Sequence, residues 1–229
     1  MNQAAPPVIK NLLIFNGLVF LAQTIFGNNA FDPVNNLFAL HDIRSEFFRP
    51  HQFVTHMFMH GDIYHILFNM LALWMFGSIL ENVWGSKRFL IFYVLCGLGA
   101  AILHLAVLYF ELTPDYETLQ HLANNFPRDE GRIRDLLIRV NSPTVGASGA
   151  IFGCLAAFGY LFPNSLIYLY FFIPLKAKWF VIIYAAIELW LGVANSAGDN
   201  VAHWAHLGGA LVGFLLVLYW NKRNRRHFY

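Results

Sequence analysis

Six long apolar stretches constrain this chain more than any other feature. They cover roughly residues 11–27, 57–80, 89–110, 145–162, 179–195 and 201–220. A helix that crosses the hydrocarbon of a bilayer needs about 20 mostly apolar residues, because no water is there to bond a free backbone N–H. The chain has 229 residues, of which 58% are hydrophobic and only 12% charged. A soluble domain carries about 25% charged residues. The expectation is therefore an all-α polytopic membrane protein, a single domain over residues 1–229 with six transmembrane helices. The segment "SLIYLYFFIPLKAKWF" between the fourth and fifth stretches is interrupted by Pro174, Lys176 and Lys178. Residues 165–175 read as a membrane-surface or re-entrant connection rather than a seventh span. A net charge of +2 is too small to argue for nucleic acid. Cys96 and Cys154 both sit inside apolar runs and read as small packing residues, with no disulfide framework. The first residues, "MNQAAPPVIKN", lack the basic start and small-residue cleavage site of a signal peptide, so none is expected to be removed.

Basic residues set the expected orientation. With the N-terminus inside, the inner segments hold Lys10, Lys87, Arg88, Lys176, Lys178 and the basic tail 221–229 with its "NKRNRR" run. The exception is the long extramembrane loop 111–143, whose arginines are accompanied by acids. Both termini are accordingly expected to be cytoplasmic, with the tail anchored to anionic membrane lipid. In that orientation the second, fourth and sixth helices all start at the outer face.

Those three starts hold the chain's polar oddities. The second opens with "VTHMFMHGDIYHILFN", placing His56, His60, His65 and Asn69 early. The fourth opens on "TVGASGAIFG" with Gly146, Ser148, Gly149 and Gly153, and the sixth on "NVAHWAHLGGALVG" with His203 and His206. Ionisable groups at membrane depth usually face a protein interior or a wet cavity. The clustering predicts a polar site sunk from the outer face between these helices. His65 and Asn69 are four apart and share a face. His206, Gly209 and Gly213 lie on one stripe, and Gly149 and Gly153 form a matching small-residue stripe that would let two helices approach closely. If the stripes face each other, Ser148 and His206 come within hydrogen-bond reach.

A serine hydroxyl becomes a nucleophile when a base takes its proton, and histidine is the usual base. Asn69, His65 and the backbone N–H of Ser148 are the candidate donors to an oxyanion. By sequence spacing no carboxylate is placed to orient His206. Asp199 lies just before the sixth helix, and Asp62 belongs to the second. The expected unit is a Ser–His dyad rather than a triad. Glu188, inside the fifth helix, reads equally as a functional carboxylate or as a bonded acid in a helix contact. Glu81 reads as structural, bonding near the inner end of the second helix.

With these residues the chain resembles the rhomboid family of intramembrane serine proteases. The resemblance runs from about residue 49 to 220. It is carried by "THMFMHGDIYHILFN", by Gly77, Glu81 and Gly85 in "GSILENVWG", by "GASGAIFG" and by "AHLGGALVG", in that order. It implies a six-helix rhomboid-like bundle, Ser148 as nucleophile, His206 as base, and His65 and Asn69 in the oxyanion hole. It implies His60 as a structural member of the site and Phe152 as the aromatic that packs on the catalytic imidazole. Gly146, Gly149, Gly209 and Gly213 would support the close approach. It further implies an endopeptidase acting on transmembrane segments of other membrane proteins, without metal, other cofactor or nucleotide. Two departures stand out: His51 and Gln52 before the second span, where many members carry Trp-Arg, and the long loop 111–143 with its helix-like "RIRDLLIRV". Neither removes a matched residue. A bacterial plasma membrane is the expected location. By analogy with the family, the fifth helix and the loop before the sixth, with Gly198 as hinge, are expected to admit substrate.

Three other classes compete. A metal-dependent membrane hydrolase would lose activity with a chelator. A transporter would use the histidines as an ion path but should show inverted repeats, of which there are none. A non-proteolytic binding protein of the same fold would keep the helices without an activated serine.

Overall fold

A computed structural model describes residues 5–27, 33–169, 172–194 and 201–224. Six apolar helices organise it: α1 (Pro7–Phe26), α2 (Ile63–Trp84), α3 (Ser86–Asn125), α4 (Ser148–Leu161), α5 (Ala177–Ala194) and α6 (His203–Asn224). All but α4 are long and apolar enough to cross a membrane. α4 has 14 residues, about 21 Å at 1.5 Å per residue, shorter than the fourth span expected from the sequence. Eleven of its residues, from Gly149 to Gly159, are buried. A helix enclosed by other helices need not match the bilayer, because its ends find partners in protein. α6 packs chiefly on α4 and α3, and α5 lies outside them with only Ala177, Glu188 and Gly192 buried. The faces turned outward are apolar, as with Ile14, Phe15, Leu18 and Leu21 on α1.

Polar side chains set several helix ends. Pro7 opens α1 at a position where its missing N–H is not needed. The next two N–H groups, of Val8 and Ile9, donate to the two carboxylate oxygens of Glu81 at 3.0 and 2.9 Å, and the Ser86 hydroxyl donates to Glu81 Oε1 at 2.7 Å. One buried acid thus ties the start of α1 to the end of α2 and the start of α3. Gly85, at φ +80°, makes the turn between α2 and α3. Five residues of α2, Leu73–Gly77, form a π turn.

The second span was expected over 57–80, but its helix begins at Ile63. The Asp62 carboxylate accepts the N–H groups of Tyr64 and His65 at 2.8 and 2.9 Å and starts the helix there. His56 and His60 therefore precede α2, in short turns after Gln52–Thr55. Gln52 is fully buried and acts as a hub. Its oxygen accepts from the N–H of Arg49, and its amide donates to the carbonyls of Asn36, Leu37 and Phe47.

The segment expected as an extramembrane loop is mostly helical. α3 runs on to Asn125, and Glu130–Val140 forms a further helix beside it, with Arg139 bonded to Asp115 at 3.0 Å. The connection between α4 and α5 is an antiparallel hairpin, β1 (Leu166–Leu169) and β2 (Ile173–Lys176), with Leu166 opposite Lys176. Cys96 and Cys154 are free thiols in the core. The hinge expected at Gly198 and all but the first residues of the basic tail lie outside the described residues.

Candidate active site

Ser148 is the first residue of α4, and the four residues before it are held from two sides. Thr144 forms an antiparallel bridge with Leu40, exchanging N–H···O bonds of 2.8 and 2.9 Å. The Thr144 hydroxyl lies 2.9 Å from His104 Nε2 on α3. The Gly146 N–H donates to the His56 carbonyl at 2.9 Å. Neither Leu40 nor His104 carries a signal in the sequence that would have found it.

The helix contact beneath Ser148 is glycine on glycine. A Cβ on Gly209 would run into the Gly149 carbonyl oxygen, and one on Gly213 would lie 2.6 Å from the Gly153 Cα. This approach brings His206 Nε2 to 2.8 Å from Ser148 Oγ. His206 is 8% exposed, and its ring stacks on Phe152 with centroids 4.2 Å apart and planes 7° apart. Phe152 in turn touches Tyr184 of α5 at 4.8 Å.

Of the other expected residues, His65 is the one placed beside Ser148. Gly146 stands between His65 and Ser148: at φ +132° a Cβ there would lie 2.9 Å from His65 Nε2 and 3.4 Å from Ser148 Oγ. The Gly61 N–H points to His65 Nδ1 at 3.3 Å. That contact makes Nδ1 the acceptor and leaves the proton on Nε2, the nitrogen on the Gly146 side. Asn69, one turn along α2, is buried, and its Nδ2 has no hydrogen-bond partner among the described residues. His60 is buried edge-on against His65 at 5.1 Å. Its backbone is clamped by Gln23 of α1, which accepts from the His60 N–H at 3.0 Å and donates to the His60 carbonyl at 3.1 Å. Nearby, burial pushes the His56 imidazole down to about 4, and its Nδ1 donates to the Gln52 carbonyl at 2.7 Å.

The expectation that no carboxylate reaches His206 is corrected. Glu188 Oε2 lies 2.9 Å from His206 Nδ1 and 2.7 Å from His203 Nδ1. The acid comes from α5, where packing against α6 rather than proximity in sequence brings it in. Glu188, His203 and His206 are also the one group of three such donors, among the described residues, that lie within 4.8 Å of one another and could face a cation. Both imidazole nitrogens converge on a single carboxylate oxygen at hydrogen-bond distance.

A bundle of helices long and apolar enough to cross a membrane, with a serine at a helix start bonded to a histidine across a glycine seam, defines a polytopic membrane protein. A family model, the rhomboid domain, matches residues 46–223. The chain belongs to the rhomboid family. Relatives include the mitochondrial RHOMBOID-like protein 12 of Arabidopsis thaliana, 30% identical over 208 residues, which cover 90% of this chain and 56% of that protein. The mitochondrial Rhomboid protein 1 of Saccharomyces cerevisiae is 31% identical over 170 residues, covering 72% of this chain and 40% of its own length. Rhomboid protease GluP of Bacillus subtilis is 31% identical over 162 residues, 70% of this chain and 24% of that protein. The chain thus spans about half the length of the first and less of the others. An integral, multi-pass membrane protein is supported throughout. The bacterial plasma membrane expected from the sequence is not, since two of these relatives are named as mitochondrial.

Proposed function

We propose that this protein is an intramembrane serine endopeptidase that hydrolyses peptide bonds in or near transmembrane segments of other membrane proteins. The observation that carries this reading is the 2.8 Å contact between Ser148 Oγ and His206 Nε2. Membership of a family with protease-named relatives supports it.

In the proposed chemistry, Ser148 Oγ attacks the scissile carbonyl carbon while its proton passes to His206 Nε2. In this reading three donors serve the oxyanion: the Ser148 N–H at a helix start, the His65 Nε2–H and the Asn69 amide. His206 then gives the proton to the leaving amine nitrogen, and an acyl ester remains on Ser148. Water deprotonated by the same imidazole hydrolyses that ester and restores the hydroxyl. Phe152 holds the ring plane, and His60 supports His65. Gly149, Gly209 and Gly213 keep the helices close enough for the Ser148–His206 bond. No step calls for a metal, cofactor or nucleotide.

The test is labelling of purified protein in detergent with a fluorescent alkyl fluorophosphonate. Wild type is expected to label, and Ser148→Ala and His206→Ala to abolish it while remaining folded. A folded, monodisperse wild type that does not label refutes the reading and returns the protein to a binding or transport role.

A further inference from the structure

We infer that Glu188 is a positioning residue for the Ser148–His206 pair, a carboxylate that holds His206 in the tautomer and orientation a base requires. This role rests on the serine-protease reading above and extends it by a third side chain.

An ionised carboxylate only accepts hydrogen bonds. With Glu188 Oε2 at 2.9 Å, the proton of a neutral His206 sits on Nδ1, and the lone pair on Nε2 faces Ser148 Oγ at 2.8 Å. Phe152 fixes the plane of the ring through a parallel stack, and Glu188 fixes which edge points at the serine. The two constraints are complementary, because a stack alone leaves rotation within the plane free. Glu188 is itself held. It is 4% exposed, and the same oxygen accepts from His203 Nδ1 at 2.7 Å, one turn before His206 on α6. Tyr184, four residues earlier on α5, presses on Phe152. α5 therefore reaches the imidazole by two routes, directly and through the stacked ring. Glu188 is one of only three buried residues in that helix.

Charge adds to orientation. When Ser148 gives its proton to Nε2, the imidazolium formed keeps its Nδ1–H against the carboxylate, as in the better-known acid–histidine–serine arrangement. A packing clamp between α5 and α6 would need only the hydrogen bonds and the volume. Gln keeps the volume and one accepting oxygen. It loses the charge, and its NH₂ can donate to Nδ1, which puts the proton on Nε2 and disables the base.

The experiment measures labelling rate against fluorophosphonate concentration for wild type, Ser148→Ala and Glu188→Gln, separating the maximal rate from half-saturation. In the labelling step Oγ bonds to phosphorus, fluoride leaves, and the hydroxyl proton goes to His206 Nε2. Glu188→Gln is expected to lower the maximal rate about 100-fold or more, with half-saturation and thermal midpoint close to wild type. His203→Asn, which leaves Glu188 bonded to His206, is expected to cause a smaller fall. Should Glu188→Gln not yield folded protein, Glu188→Asp, whose shorter arm draws the carboxylate back, is read in the same way. Wild-type labelling with Glu188→Gln equally fast overturns this role alone. A rate and thermal midpoint that fall together assign Glu188 to packing. Suppression of wild-type labelling by EDTA assigns the three donors to a metal and overturns it too. Absence of wild-type labelling refutes the protease reading itself.

Discussion

Replacing Gly209 by Ala tests whether the glycine seam sets the Ser148–His206 geometry. A Cβ there would collide with the Gly149 carbonyl oxygen and lie 2.6 Å from the carbonyl carbon. Carbon atoms in ordinary contact stand about 3.5–4.0 Å apart, so α4 and α6 must separate by about 1 Å. Gly149 follows Ser148 directly and Gly209 is one turn beyond His206, so the displacement falls on the pair. The 2.8 Å contact would open to nearly 4 Å, which is no longer a hydrogen bond. A misplacement of about 1 Å costs on the order of 100-fold in rate, or ~2.7 kcal/mol of transition-state stabilisation. Fluorophosphonate labelling of Gly209→Ala should fall by that amount in protein that still elutes as a single species. Gly131→Ala is the control, since nothing lies within 4 Å of a Cβ there, and it should label as wild type does. Labelling of Gly209→Ala within about threefold of wild type would refute the view that backbone approach positions the pair.

Further expectations concern other parts of the fold. Gly146→Ala places a Cβ 2.9 Å from His65 Nε2 on a backbone of φ +132°, so labelling should fall at least about tenfold and the thermal midpoint drop by the equivalent of about 1–3 kcal/mol of strain; unchanged labelling would show that His65 moves aside freely. Glu81→Ala strips the acceptor from two backbone N–H groups and the Ser86 hydroxyl, and should cost about 3 kcal/mol in thermal or denaturant unfolding. Glu81 is 16 residues along α2 from His65, about 24 Å, so the folded fraction should label normally. His56 is kept neutral by burial, with a pKa lowered from 6.5 to about 4, so the unfolded chain takes up a proton before the folded one does. Its contribution, about 3 kcal/mol, is complete above pH ~6.5 and is lost as pH falls toward ~4. Thermal midpoints across that range should fall, and His56→Gln should flatten the fall; an equally steep curve in the variant would place the effect elsewhere.

The sequence by itself determined what depends on composition and on spacing within one helix. Apolar length marks the membrane segments, because unbonded backbone in lipid is too costly to tolerate. The periodicity of a helix puts His206, Gly209 and Gly213 on one stripe, His65 and Asn69 on another, and Ser148 beside Gly149. It also shows that Glu81 and Glu188 are acids in apolar surroundings that must find partners.

Tertiary structure decided which faces meet and who those partners are. Glu188 and His206 are 18 residues apart on different helices, and the rotation of α5 about its axis is set by packing, so no spacing rule predicts their contact. The same holds for Gln23 on the His60 backbone and for Leu40 bridging Thr144. Boundaries shifted for local reasons as well: the Asp62 cap starts α2 after His60, and α3 continues far past the apolar run because a helix does not need lipid to persist. The length of α4 was decided by its neighbours. Enclosed by protein, it is released from the thickness of the bilayer and answers only to the glycine contact with α6 that brings its first residue to a histidine.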